Sequence, residues 1–148
     1  MKVLDFGLVK SVNGDTPGNS FATAQGQVAG TPAYMAPEVA MGEAFDGRAD
    51  VYAVGCVAYY LLTGRVVFEA GNPMAMLARH MRDTPLPPSA GGELAVPAEL
   101  DRLVLQCLAK TPEARPAADE LSRALSLVDT ARWGEEQAMQ WWKANRPS

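Results

Sequence analysis

Residues 30–38 read Gly-Thr-Pro-Ala-Tyr-Met-Ala-Pro-Glu, and this stretch separates a polar, turn-rich beginning from a helical remainder. Proline is favoured at the first position of a helix because it has no N–H group to leave unpaired there. We therefore expect a short helix over residues 37–41. Every longer hydrophobic pattern after residue 36 is helical, so the fold is predicted to be mainly α.

The strongest helical pattern covers residues 50–63 and is apolar on nearly all sides. Gly64 is suited to end it, because glycine readily adopts the left-handed conformation found at helix ends. Such a helix is expected at the centre of the fold, covered on every side. Asp50, at its start, leaves two interpretations open: a plain N-cap, or a buried carboxylate that binds backbone N–H groups elsewhere.

The remaining pattern is helical as well. Hydrophobic spacing and proline positions predict helices over residues 73–82, 97–109, 116–128 and 135–144, with a linker over 85–92. The last helix is expected to dock onto the rest of the fold through the tryptophans of its region, Trp133, Trp141 and Trp142.

The composition is that of one ordinary globular domain. Of the 148 residues, 48% are hydrophobic and 20% are charged, and 13 Lys and Arg against 17 Asp and Glu give a net charge of −4. The apolar content is sufficient for a hydrophobic core, which argues against a disordered chain. Because no basic cluster stands out and the net charge is negative, nucleic acid is not a predicted partner.

The sequence contains two cysteines and a single histidine, which limits the metal-binding and catalytic sites that it could form. Cys56 and Cys107 lie in apolar runs and are interpreted as core residues in a reducing compartment. His80 cannot form a multi-histidine metal site by itself, and it is expected on the solvated surface. No secretory signal opens the sequence and the apolar run 51–62 is too short to span a bilayer, so a cytoplasmic location is predicted.

A candidate metal-binding turn lies near the start of the sequence, at Asp5-Phe6-Gly7. A carboxylate on a tight turn at the end of a strand can bind Mg²⁺, and Gly7 gives the backbone freedom to change direction. The tripeptide alone is a weak signal, so an acidic turn without chemical function remains an alternative.

Four short motifs follow one another along the chain. They are Asp-Phe-Gly at 5–7, the stretch 30–38, Asp-Val-Tyr-Ala-Val-Gly at 50–55 and Pro-Glu-Ala-Arg-Pro at 112–116. In this order they closely resemble the C-terminal lobe of bacterial eukaryotic-type serine/threonine protein kinases, in which D-F-G is followed by A-P-E. The resemblance implies a partial kinase domain over 1–128, with an activation segment over 5–38, a helical lobe over 39–128 and a tryptophan-containing tail over 129–148.

The resemblance also implies roles for individual residues. Asp5 matches the aspartate that chelates the Mg²⁺ bridging the ATP phosphates, and Phe6 the residue whose packing separates active from inactive states. Asp50 matches the aspartate that holds the catalytic loop. Residues 31–35 match a substrate loop, which binds the substrate residue that follows the phosphoacceptor. Thr31 also matches the threonine that contacts the catalytic aspartate. The loop consists of Thr31, Pro32, Ala33, Tyr34 and Met35.

The resemblance further matches Glu38 and Arg115 to a buried ion pair, and the residues favour this pair independently. Arg115 lies just before a predicted helix N-terminus, where the helix dipole disfavours a cation. It therefore needs a carboxylate partner, for which Glu38 is a reasonable candidate.

The polar stretch 8–29 matches the activation loop. A phosphate on such a loop can order it by pairing with arginine, and the candidate sites are Ser11, Thr16, Ser20 and Thr23. Thr23 is the first choice because it lies closest to Gly30. A plain polar loop without phosphorylation remains the alternative.

The sequence contains no glycine-rich phosphate loop, no strand lysine paired with a helix glutamate and no H-R-D-x-K-x-x-N motif. In the family these precede D-F-G, so we expect an N-terminally truncated kinase without its β-rich nucleotide lobe and catalytic loop. Part of the apolar face of helix 50–63 should then be exposed, and the isolated chain should be inactive, marginally stable and prone to aggregate. ATP and Mg²⁺ are expected in the full-length parent, and neither should bind this chain tightly.

Three functions remain open on the sequence. The chain is part of a kinase that transfers the γ-phosphoryl group of ATP to Ser or Thr of proteins, with the missing N-terminal lobe as its partner. Alternatively, it is an inactive lobe that binds proteins, or an unrelated helical domain in which the ordered motifs are coincidental.

Overall fold

The computed structural model describes residues 31–91, 95–129 and 134–145, which contain α-helices and 3₁₀ turns and no β-strand. The helices are α1 (Pro37–Met41), α2 (Arg48–Thr63), α3 (Pro73–Arg82), α4 (Pro88–Gly91), α5 (Ala98–Cys107), α6 (Ala118–Leu127) and α7 (Glu135–Asn145). Short 3₁₀ turns cover Pro32–Tyr34 and Pro112–Ala114. The predicted mainly α fold is therefore confirmed for these ranges. The motif at residues 5–7, the candidate phosphorylation sites and Trp133 lie outside the described residues.

Helix α2 is the central element of the described residues. It packs against α4, α5 and the 3₁₀ turn Pro32–Tyr34. The close approach of α5 depends on Gly55, since a Cβ atom at this position would lie 2.7 Å from the Cβ of Cys107. Gly64 ends the helix as predicted, at a φ of 70°, and its N–H donates to the carbonyl of Tyr60.

Tyr52, Cys56 and Tyr59 on one side of α2 belong to the main hydrophobic core, which Phe68 and Leu108 complete from other segments. Cys56 and Cys107 are both buried free thiols, as predicted. Burial raises the pKa of Cys56 to about 12 and that of Cys107 to about 11, so neither thiol ionises near neutral pH.

The opposite side of α2 is exposed. Val54, Val57 and Leu61 keep 50%, 47% and 72% of their surfaces accessible. The prediction that this helix is covered on every side is therefore wrong here, and the expected exposure of part of its apolar face is confirmed.

Two predicted boundaries require correction. Helix α2 begins at Arg48, so Asp50 lies in the first turn and is exposed, neither an N-cap nor a buried carboxylate. A side chain one turn earlier, Asp46, accepts from the N–H of Arg48 at 2.9 Å. The predicted linker 85–92 contains α4, because Pro88 can open a helix and the carboxylate of Asp101 accepts from the N–H of Ser89 at 3.0 Å.

The tryptophans of α7 differ from their predicted role. Trp141 and Trp142 are 47% and 60% exposed, and their rings meet edge to face with centroids 5.1 Å apart. The prediction that this helix docks through these two rings is therefore wrong, because the rings pack on each other and much of their surface remains in solvent. None of the described helices has the length and hydropathy needed to cross a lipid bilayer.

Candidate functional site

The predicted substrate loop forms a compact turn. The N–H of Tyr34 donates to the carbonyl of Thr31 at 3.1 Å, and the N–H of Met35 donates to that of Pro32 at 3.3 Å. Ala33 and Met35 point into the protein, whereas Thr31 is exposed. The turn packs against both α2 and α3, so two helices determine its position.

The helix that follows this turn is fixed by a buried ion pair. Glu38, in the first turn of α1, is 3% exposed, and its two carboxylate oxygens accept from Nη1 and Nη2 of Arg115 at 2.6 and 2.8 Å. Burial by itself would raise the pKa of Glu38, but hydrogen bonds and charge from Arg115 outweigh it and lower the pKa. Glu38 is therefore ionised at neutral pH, and the structure brings together the two residues that the sequence paired.

Arg115 uses all five of its N–H donors. Two bind Glu38, and the other three donate to the carbonyl oxygens of Arg48, Ala109 and Lys110 at 3.0, 2.9 and 3.2 Å. The guanidinium thereby joins α1, the start of α2 and the segment after α5. Since guanidinium offers five donors in a planar fork, no other side chain could form this set of contacts.

His80 is a correction to the sequence analysis, which expected it on the surface. It is fully buried on α3, and its Nδ1 lies 2.8 Å from the hydroxyl oxygen of Tyr52 on α2. The ring of Phe68 meets it edge to face at 5.0 Å, and the Nζ of Lys110 donates to its carbonyl oxygen at 2.7 Å. Burial, assisted by the charge of Lys110, lowers the pKa of His80 to about 4, so the imidazole is neutral near pH 7.

Sequence reasoning missed the Tyr52–His80 contact. A signal was present, because His80 lies three residues after the buried Leu77 and therefore on the same face of α3. The guanidinium carbon of Arg115 lies 4.9 Å from the centroid of the Tyr52 ring, which is fully buried. Tyr52 therefore contacts both the ion pair and the histidine.

Metal-binding residues are not assembled in this part of the molecule. Within residues 31–91, 95–129 and 134–145, no group of three or more His, Cys, Asp or Glu side chains could hold a metal ion. Asp5, the predicted Mg²⁺ ligand, lies outside these ranges. The described site is therefore a turn and its supports, with exposed Thr31 at one end.

Comparisons with known proteins agree with this arrangement. Residues 1–125 match the model of the protein kinase domain. The chain is 44% identical over 115 residues to the serine/threonine-protein kinase PknB of Mycobacterium tuberculosis, covering 78% of this chain and 18% of that protein. It is 46% identical over 117 residues to the serine/threonine-protein kinase Pkn1 of Myxococcus xanthus, covering 79% and 16%.

The match to a further relative covers more of this chain than the other two. The serine/threonine-protein kinase pkn3 of Myxococcus xanthus is 39% identical over 134 residues, covering 89% of this chain and 24% of that protein. The chain thus spans less than a quarter of the length of each of these curated relatives. All three come from bacteria, which supports the predicted bacterial origin.

Proposed function

The chain belongs to the protein kinase domain family, and from this membership we propose that it forms the substrate-side helical lobe of a serine/threonine protein kinase. In this proposal, the hydroxyl oxygen of a protein Ser or Thr attacks the γ-phosphorus of ATP. The bond from that phosphorus to the β–γ bridging oxygen breaks, and ADP leaves. ATP with Mg²⁺ supplies the phosphoryl group and part of the charge neutralisation, while the protein contributes positioning and further charge stabilisation.

The buried Glu38–Arg115 pair is the observation that carries the proposal. It joins residues 77 positions apart and fixes α1, which directly follows the turn at residues 32–34. A substrate loop must be held within about 1 Å of its productive position, because small misplacements cost large factors in rate. The ion pair gives the loop 31–35 such a support.

The residue roles implied by the family form part of the same proposal. Thr31 contacts the catalytic aspartate, Asp5 holds Mg²⁺ with Phe6 and Gly7 shaping its turn, and Asp50 binds the catalytic loop. The exposure of Asp50 leaves its carboxylate accessible for that contact. The longer protein presents this lobe to protein substrates in the cytoplasm, with any membrane anchor lying elsewhere in its chain.

The 148 residues alone are proposed to transfer no phosphate, because their sequence lacks the phosphate loop, the paired lysine and the H-R-D motif. A second candidate function is protein binding by a catalytically inactive lobe. It is favoured by the turn 32–34, whose described supports all belong to this chain. Binding of Ser-containing peptides by the isolated chain, together with an inactive chimera in the next experiment, would favour this alternative.

A chimeric kinase tests the proposal. The matching segment of the M. tuberculosis PknB protein would be replaced by residues 1–125 of this chain and assayed with labelled ATP and a protein substrate. We expect phosphoserine and phosphothreonine in the substrate, and no transfer by the Asp5→Asn chimera. A chimera that melts cooperatively and binds nucleotide but phosphorylates nothing would contradict the proposal.

Regulation by phosphorylation extends this proposal to the stretch 8–29. We place the phosphate on Thr23, with Ser20, Thr16 and Ser11 as further candidates. Phosphopeptide mass spectrometry of the active chimera should find a phosphate between residues 8 and 29. Full activity with no phosphate in this stretch would contradict the assignment.

A further inference from the structure

A closed circuit of contacts begins and ends at the substrate loop. Starting from the turn at residues 32–34, it runs through α1 to Glu38, across to Arg115, and on to the ring of Tyr52. The hydroxyl of Tyr52 then bonds His80 on α3, and α3 packs back against the turn. Each link in this circuit joins two different segments of the fold.

We infer that Tyr52 and His80 are positioning residues that set α3, and through it the loop 31–35, in the orientation needed for binding the protein substrate. The link to substrate rests on the proposed kinase function, whereas the mechanical coupling of α3 to the loop does not. Among the described residues, the hydrogen bond between Tyr52 and His80 is the only one that joins a side chain of α2 to a side chain of α3.

The choice of residue at position 80 supports this inference. His80 is fully buried, and its Nε2 has no hydrogen-bond partner among the described residues. A buried polar atom without a partner is unfavourable, so an apolar residue would fill this site at lower cost. The property that an apolar residue lacks is a polar atom at the position of Nδ1, facing the hydroxyl of Tyr52.

The surroundings of His80 restrain α3 further. The Nζ of Lys110 donates to its backbone carbonyl and lies 4.5 Å from the centroid of the Phe68 ring. Arg79, the neighbour of His80, donates to the carbonyl oxygen of Glu69 at 2.6 Å and to the carboxylate of Asp83 at 2.7 Å. Lys110 thus binds the backbone of α3, and the side chain of Arg79 ties the helix to the preceding segment at Glu69, while the Tyr52–His80 bond joins α3 to α2.

Hydrogen exchange read by mass spectrometry tests the coupling in the 148-residue chain. Tyr52→Phe removes the hydroxyl and keeps the ring. His80→Asn keeps a polar atom near the position of Nδ1, and His80→Gln places one near the position of Nε2. Met74→Ala is the control, because Met74 is on the same helix and 68% exposed.

We expect Tyr52→Phe and His80→Gln to speed exchange of the amides at 33–36 by roughly 3- to 10-fold, as loss of one hydrogen bond would. His80→Asn and Met74→Ala should stay within about 2-fold of the unaltered chain, and α6 should stay unchanged in every variant. Unchanged exchange at 33–36 in both disruptive variants would overturn the coupling. An equal increase in α6 would also overturn it, because it would show a loss of stability everywhere.

The substrate role has its own measurement in the chimeric kinase. Tyr52→Phe should raise KM for the protein substrate about 3- to 10-fold and leave KM for ATP unchanged, in proportion to the loosened loop. Faster exchange at 33–36 with an unchanged KM for substrate would overturn the substrate role. Activity of the parent chimera, which tests the kinase function by itself, distinguishes this result from failure of that function.

Discussion

The two sides of α2 are both largely apolar, yet only one is buried. Tyr52, Cys56 and Tyr59 lie in the core, whereas Val57 and Leu61 on the opposite side are 47% and 72% exposed. The buried side faces the turn 32–34, α5 and the Glu38–Arg115 pair. The comparison shows that the described residues pack the turn 32–34 against the buried side of α2, while much of the other side of the same helix remains exposed.

The buried side of α2 also differs from the exposed side in its polar contacts. The hydroxyl of Tyr52 reaches His80, and Arg115 is satisfied at every N–H donor. A buried polar network is favourable only when nearly all of its members have partners, because each unpaired group retains its full cost of desolvation. Directional contacts therefore fix the buried side of α2, whereas the side chains exposed on its other side, Val54, Val57 and Leu61, are apolar.

Glu38→Ala should disrupt the buried side most strongly. It leaves the guanidinium of Arg115 buried without its carboxylate, which should lower the free energy of unfolding by about 3–5 kcal/mol. Urea unfolding followed by circular dichroism would measure this change. Glu113→Ala is the matched control, since the carboxylate of Glu113 is exposed and lies 3.9 Å from Arg48, and its loss should cost under about 1 kcal/mol. Equal losses in the two variants would contradict the importance of the buried pair.

Acid should weaken the same side through His80. Its pKa is about 4 in the folded chain and near 6.5 when unfolded, so unfolding takes up a proton between these pH values. The free energy of unfolding should therefore fall by up to about 3 kcal/mol as the pH drops from 6.5 to 4. Burial lowers the pKa of Lys110 to about 8, so this neighbour of the histidine keeps its positive charge throughout the range.

A series of urea titrations across this pH range, with His80→Asn beside the unaltered chain, would isolate the histidine. The lowered pKa of Glu38 also makes acid destabilising, but mainly below its ordinary value of 4.5. His80→Asn should therefore remove the decline between pH 6.5 and 5 and keep the later one. Parallel curves for the two chains would show that His80 is not the group responsible.

A pair of valine truncations compares a buried with an exposed position on α2, the buried one belonging to a second hydrophobic cluster. Val51 is 5% exposed and packs with Cys107 and Leu121, so Val51→Ala should cost about 2 kcal/mol of stability. Val57→Ala removes the same atoms from the exposed side and should change stability by less than about 0.5 kcal/mol. Thermal unfolding would measure both, and a comparable loss at Val57 would mean that this side is covered in solution.

Much of the fold could be predicted from local signals. Prolines at 37 and 73 mark the first residues of α1 and α3, and Gly64 ends α2 as predicted. The pairing of Glu38 with Arg115 was implied by the family resemblance, and the placement of a cation before a helix start favoured it independently. These predictions succeed because each depends on a few neighbouring residues or on one strong electrostatic need.

Two of the errors concern long-range contacts. The burial of His80 depends on a hydroxyl 28 residues away, and α4 depends on Asp101, 12 residues from Ser89. Asp50 was misplaced because helix α2 starts two residues before the apolar pattern begins. The tryptophans of α7 were expected to dock this helix because large aromatic side chains favour burial, but residue type alone does not specify a docking partner.

Incubation of the purified 148-residue chain with γ-labelled ATP, Mg²⁺ and a Ser- and Thr-containing protein tests the central claim most directly. The active PknB chimera and its Asp5→Asn variant are the controls. The account predicts that the isolated chain transfers no more label than the Asp5→Asn chimera, although its substrate loop is intact. Labelling of the protein by the isolated chain, lost on Asp5→Asn substitution within it, would contradict the claim that this chain supplies only the substrate side of a kinase.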